Sequence, residues 1–265
     1  MKEPDRITTA LLLAAGTGSR LQPLTHEAPK CLTEVNGTPI LERLIHSLRS
    51  QGIVRLVVVI GHLGDQIKVF LQHHAADMQI DYIDNPIYRT SNNIYSLWLA
   101  REQVRHSPFI LVESDLVFQA SMLDELLTPD RIALSNILPW MNGTTAELNS
   151  SRRVTAFRKA GEIVGEVPQY KTVNIYSLSP QSWKIVEERL RSYVASDQLG
   201  DYYEAVFTEL VAEGLLAFDA VFFEANRWYE IDTPADLLAT EKLFALPYAI
   251  DKTAHAVNNP VIIND

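Results

Sequence analysis

The stretch Leu13-Ala14-Ala15-Gly16-Thr17-Gly18-Ser19 ends an apolar run in small residues and two glycines, and Arg20 follows at once. Glycines let a backbone approach a phosphate chain closely and aim several N–H groups at it. After a short polar interval containing Pro23 and His26 comes Pro29-Lys30. A guanidinium and an ammonium brought to one loop can neutralise a triphosphate and the charge that grows on a departing pyrophosphate. Two familiar phosphate loops do not fit. The dinucleotide fingerprint needs a small residue where Leu21 stands, and the Walker loop needs a Gly-Lys pair after four intervening residues. For an isolated G-x-G the larger expectation is a tight strand-to-helix turn with solvated cations. Strand, glycines, arginine and proline-lysine in that order shift the balance toward phosphate.

Two carboxylates stand where a metal would help. Phe109-Ile110-Leu111-Val112 runs into Glu113-Ser114-Asp115, and Trp228-Tyr229-Glu230-Ile231-Asp232 runs into Thr233-Pro234. Open α/β sheets bind ligands at the carboxyl ends of their strands. A lone Asp there is as often a turn or a cap, but a pair suits Mg²⁺, which takes one or two carboxylates together with substrate phosphates. Glu113 and Glu230 alternate with the two aspartates, so they are expected to face away from the metal.

The run LLLAAGTGSRLQPLT…APKCL resembles the signature of nucleotidyltransferases that activate sugar phosphates and small phosphorylated alcohols, with Gly16, Gly18, Arg20, Pro29 and Lys30 at the signature positions. Asn92-Asn93-Ile94-Tyr95-Ser96-Leu97 resembles a segment of bacterial CTP:phosphocholine cytidylyltransferases and of enzymes that cytidylylate small phosphonates such as 2-aminoethylphosphonate. The resemblance reaches from about Ile7 to Leu246 and rests on four short blocks. It implies CTP as donor, Leu13 to Ser19 on the nucleotide, and Mg²⁺ on Asp115 and Asp232. It also implies Arg20, Lys30 and Lys171 as the catalytic cations. In such a reaction a phosphate or phosphonate oxygen attacks the α-phosphorus in line, and no general base is needed.

Asn92, Asn93 and Ser96 can present amides and a hydroxyl to a base edge, although an asparagine here is also placed to cap a helix. Lys171 opens a strand and either reaches a phosphate or is a solvated edge lysine. Trp140, Tyr202 and Trp228 are candidates for an aromatic wall around a cationic acceptor, with Asp201 and Glu204 as counter-charges, although most large aromatics pack in cores. Rival readings are a sugar-1-phosphate nucleotidyltransferase using UTP, dTTP or GTP and a non-catalytic nucleotide-binding subunit. His73-His74 diverge by about 100° on a helix and make a poor metal pair. Cys31 is expected to pack.

Continuous apolar runs such as Leu11-Leu13 and Leu56-Ile60 alternate with amphipathic stretches such as Ile40-Leu48, Gly64-His73 and Asn92-Val104. That pattern predicts a parallel sheet covered on both faces. The fold expected is a Rossmann-like three-layer α/β/α nucleotidyltransferase fold with a mostly parallel sheet. Later strands are expected at Arg153-Phe157, Glu162-Val167 and Thr172-Leu178. Ser179-Pro180 and Thr233-Pro234 set a hydroxyl before a proline and mark two helix starts. Residues 1–246 are read as one domain, with 139–178 as a small substrate-side β lobe. The tail 247–265, containing Val261-Ile262-Ile263, is open to three readings, an edge strand, a homodimer contact or a loosely held end, and is assigned no role.

The chain has 265 residues, 47% of them hydrophobic, enough for one large core. Its formal net charge of -10 disfavours a nucleic-acid partner. Cys31 is the single cysteine, which excludes an intrachain disulfide framework and fits a reducing compartment, with the cytoplasm as the default. The N-terminal residues carry charges where an export signal needs apolar ones, and Ile7 to Ala15 is too short to span a bilayer.

Overall fold

A computed structural model describes residues 6–159, 162 and 167–245. β1 (Thr9–Ala14) is buried along its whole length, as an unbroken apolar strand covered on both faces should be. A loop with short 3-10 turns at Ser19–Leu21 and Lys30–Leu32 follows, then a small hairpin of β2 (Glu34–Val35) and β3 (Thr38–Pro39). Next come α1 (Ile40–Ser50), β4 (Arg55–Ile60), α2 (Gly64–His74) and β5 (Gln79–Asp84). β4 lies parallel to β1, and β5 parallel to β4. The helix expected from Asn92 to Val104 forms in two pieces, α3 (Asn93–Leu99) and α4 (Arg101–Val104). The Gln103 N–H bonds to the Ala100 carbonyl, a three-residue reach that tightens the second piece. β6 (Phe109–Glu113) then takes the other edge of β1, again parallel.

The remainder extends and braces this parallel half. After β7 (Leu116–Phe118) come β8 (Arg131–Ser135), β9 (Thr145–Leu148), β10 (Val154–Arg158) and the long β11 (Gln169–Leu178). β11 runs antiparallel to three strands at once, β6, β8 and β9. β10 pairs with β9; the interior of the strand expected at Glu162-Val167 lies outside the described residues. α5 (Pro180–Ala195) starts where Ser179 accepts the Ser182 N–H. α6 (Tyr203–Ala212) follows, then β12 (Asp219–Phe223) beside β8 and β13 (Trp228–Glu230) antiparallel to β7. α7 (Pro234–Leu243) opens on a full capping box between Thr233 and Asp236. The tail 247–265 lies outside the described residues.

Alternate residues of the central strands feed two cores, one on each face. Leu12, Val58 and Ile110 pack with α1 and α2, while Leu11, Val57 and Leu111 pack with α3, α5 and α6. The result is the three-layer α/β/α arrangement, each fully buried aliphatic side chain contributing about 1.5–3 kcal/mol. Among the described residues no helix is long and apolar enough to cross a membrane.

Candidate active site

The carboxyl ends of β1 and β6 open onto a cleft of about 350 Å³. Leu13, Ala14, Ala15, Gly16, Gly18, Ser19 and Arg20 line it, and Thr17 does not. Gly18 is left-handed, at φ +61°, and a Cβ there would come within 2.9 Å of Thr25 Cγ2 and 3.1 Å of Lys30 Cβ. Only glycine meets both demands without strain. Thr25 Oγ1 donates to the Gly18 carbonyl at 2.9 Å, which folds the following segment back beneath the glycine turn. Lys30 thereby arrives under the loop from a 3-10 turn that starts after Pro29.

Lys30 Nζ lies 2.6 Å from Asp115 Oδ2 and 2.7 Å from Asp232 Oδ1, and Arg20 adds a 2.7 Å contact to Asp232. Asp115 and Asp232 come together because β7 and β13 pair, setting Leu116 opposite Glu230. The Ile231 N–H also donates to the Asp115 carbonyl at 3.0 Å. Asp236 Oδ2, part of the capping box, accepts the Asp232 N–H at 3.2 Å. Burial alone would lower the Lys30 ammonium, but Asp115 and Asp232 outweigh it and hold it above its ordinary value. Asp115 Oδ1 is buried and has no hydrogen-bond partner among the described residues. Two carboxylates sharing one point, one with a free oxygen, fit a hard divalent cation that completes its shell elsewhere. Among the described residues no group of three or more His, Cys, Asp or Glu side chains is placed to cage a metal unaided.

Glu113 and Glu230 do not face away as strand alternation predicts; both line the cleft. The period of two holds only within a strand, and β6 ends at Glu113 while β13 ends at Glu230. Asp115 and Asp232 sit in the turns beyond. Asn93 Nδ2 donates to Glu113 Oε1 at 3.2 Å, and Asn174 Nδ2 donates to Glu230 Oε1 at 3.1 Å. Asn174 is left-handed, at φ 60°, in a bulge of β11 that lies between Thr172 and Tyr176. Such a bulge re-aims one side chain out of the ladder, and here it delivers the amide to the cleft. Glu204, in the first turn of α6, completes a trio of glutamates. Burial raises all three: Glu113 well above the usual carboxylate range, Glu204 up to about 7, and Glu230 against the opposing pull of Lys171.

Asn92, Asn93 and Ser96 all line the cleft. Asn92 Oδ1 caps α3 by accepting the Asn93 N–H. Asn93 Oδ1 accepts the Tyr203 N–H at 3.0 Å, and Ser96 Oγ accepts from Asn85 at 3.1 Å. Lys171 is neither an edge lysine nor a lining residue: it is 3% exposed, with Nζ 3.5 Å from Glu230 Oε2 and donating to the Thr172 carbonyl. Of the three candidate wall aromatics, Tyr202 alone lines the cleft. Trp140 stacks on Tyr229, 4.2 Å between centroids, in a separate groove beside α7. Trp228 is 1% exposed and packs in the core that contains Phe118 and Phe223. Cys31 is buried, which pushes its thiol up to about 12, and His73 and His74 engage Val69 and Phe70 separately. Sequence reasoning passed over Asn85, Tyr88, Ser91 and Asn174. Only Asn174 left a trace, an asparagine inside an otherwise strand-forming run.

Residues 10–134 match the family described as MobA-like NTP transferase domain. A CMP-5'-(3-aminopropyl)phosphonate synthase of Streptomyces rubellomurinus is 31% identical over 256 residues, covering 92% of this chain. The chain spans 40% of that relative's length. A 2-aminoethylphosphonate cytidylyltransferase of Lancefieldella rimae is 28% identical over 238 residues, covering 88% of this chain and 91% of the relative. The solved CTP:phosphocholine cytidylyltransferase of Streptococcus pneumoniae shares the fold, with a TM-score of 0.75 at 21% identity over 90% of this chain and 99% of that one.

Proposed function

We propose that this chain is a nucleotidyltransferase that transfers CMP from CTP to a small phosphorylated or phosphonate acceptor and releases pyrophosphate. The observation that carries the reading is the Lys30 ammonium held between Asp115 and Asp232 at the foot of the glycine turn. The relatives named for phosphonate and phosphocholine chemistry support the choice of CTP and of acceptor class.

On this reading the loop from Leu13 to Ser19 cradles the triphosphate with its backbone, and Arg20 and Lys30 take up the charge of the β- and γ-phosphates. Asp115 and Asp232 hold Mg²⁺, which when bound neutralises phosphate charge and helps align the donor. An acceptor oxygen, already anionic near neutral pH, attacks the α-phosphorus, so the protein's work is positioning and electrostatics. Asn92, Asn93 and Ser96 border the place for the base. Lys171, turned inward against Glu230, steadies that carboxylate instead of touching a phosphate.

The test is a matrix of CTP, UTP, dTTP and GTP against phosphocholine, 2-aminoethylphosphonate and glucose 1-phosphate, scored by pyrophosphate. The expected outcome is turnover with CTP and an acceptor carrying an amine. Fastest release from UTP or dTTP with the sugar phosphate would replace this reading by the sugar-activating one.

A further inference from the structure

The cleft carries charge of both signs. Arg20, Lys30 and the glycine turn line it, and so do Glu113, Glu204 and Glu230. The one ion pair to any of these glutamates among the described residues is Lys171 to Glu230, at 3.5 Å. Glu113 and Glu230 each already accept an amide N–H, from Asn93 and Asn174. Glu204 keeps one oxygen that neither an asparagine nor a lysine meets. It is 9% exposed and lines the cleft, and its Oε2 has no hydrogen-bond partner among the described residues. A buried carboxylate oxygen without a donor is costly, and a donor entering the cleft removes that cost.

The chemistry of the walls says which donor fits. A quaternary ammonium has no N–H and is held by π faces arranged as a cage. Among the described residues the aromatic side chains lining this cleft are Tyr88 and Tyr202, and Tyr202 is 60% exposed. Two tyrosines, one turned largely to solvent, do not enclose a trimethylammonium group. A primary ammonium carries three N–H donors and suits carboxylate and amide oxygens, which line this cleft in number.

Resting on the cytidylyl-transfer reading above, we propose that Glu204 is the receptor for an N–H-bearing ammonium on the acceptor. The chain therefore selects aminoalkyl phosphonates or phosphates over their quaternary counterparts. Glu113 and Glu230, fixed by their asparagines, flank it and repel acceptors whose far end is anionic.

The experiment is a methylation ladder on one acceptor: 2-aminoethylphosphonate and its N-methyl, N,N-dimethyl and N,N,N-trimethyl forms, each with CTP and Mg²⁺. For the unaltered protein kcat/KM should fall steeply at the last step, by about 100-fold or more, since a site built for N–H donors rejects the analogue that lacks them. In Glu204→Gln the fall should shrink to a few-fold, with KM for the primary amine raised and KM for CTP unchanged. Equal use of the primary and trimethyl compounds by the unaltered protein overturns the inference while leaving cytidylyl transfer standing. A raised CTP KM with an unchanged amine KM in Glu204→Gln assigns the carboxylate to the cytosine amino group and overturns it too. No turnover of CTP with any rung removes the cytidylyl-transfer reading, and the inference falls with it. The ladder on the unaltered protein decides the matter even if the variant folds poorly.

Discussion

Lys30 stands where two carboxylates converge, and its removal asks a sharp question of them. In Lys30→Met, Asp115 loses its only ion-pair partner among the described residues and Asp232 keeps Arg20 alone. Turnover should drop by at least about 100-fold, the scale seen when one charge-stabilising donor is lost. In metal-free buffer the variant should melt below the unaltered protein, and Mg²⁺ should recover part of the difference. An equal deficit with and without Mg²⁺ would mean that the aspartates do not take the ion. Glu204 yields a pH prediction. Its carboxyl is raised from about 4.5 to about 7 on folding by burial, so the folded state holds the proton more tightly than the unfolded one. Stability from this group is full below pH 4.5 and declines as pH rises toward about 7. Glu204→Gln should therefore gain stability over the unaltered protein above pH 7, by at most about 3 kcal/mol at roughly 1.4 kcal/mol per unit. A melting difference that is flat between pH 5 and pH 8 would refute the buried-carboxylate account. Arg20, Lys30, Asp115 and Asp232 were readable because each follows a strong local signal, a glycine turn or a strand end. Glu204 was legible only as a counter-charge beside the tyrosines; its burial in the cleft could not be read, since that depends on how α6 packs over the sheet, and Trp228 misled because an aromatic beside a site residue can point into the core.

The pairing of β7 with β13 is a clamp: two short strands hold the turns that carry the metal candidates. α7 braces that clamp, since Asp236 serves both the capping box and the Asp232 N–H. Thr233→Ala should cost about 1 kcal/mol as a lost N-cap. It should also raise the Mg²⁺ concentration needed for half-maximal rate more than it changes KM for CTP. A loss of stability with the Mg²⁺ dependence untouched would separate the cap from the site. Elements with coincident signals were legible: β1, β4 and β6 from continuous apolar runs, and α5 and α7 from a capping hydroxyl followed by proline. β8, β9 and β12 were not, because runs of four or five residues carry too little periodicity. Their identity as strands comes from partners far away in the chain. The bulge at Asn174 is likewise invisible locally, because it exists only against the register of β8.

For the molecule as a whole, the cleft draws on both halves of the chain, so filling it should stabilise all of it. CTP with Mg²⁺ at about 100 times its Kd should add about 2.7 kcal/mol, visible as one cooperative upward shift in melting, with GTP giving far less. A shift confined to an early partial transition would argue for two independently stable units. The same interdependence bears on the strand β11, which zips against β6, β8 and β9 together. A fragment stopped after Ser135 would keep the region that matches the family but leave the outer rim of β6 bare, with its N–H and C=O groups unmet. Such a rim is a template for intermolecular association, so the excised piece should precipitate when expressed alone. A chemist seeking a minimal scaffold from this protein has to carry the chain through α7, because the covering strand and the second aspartate both arrive late in synthesis.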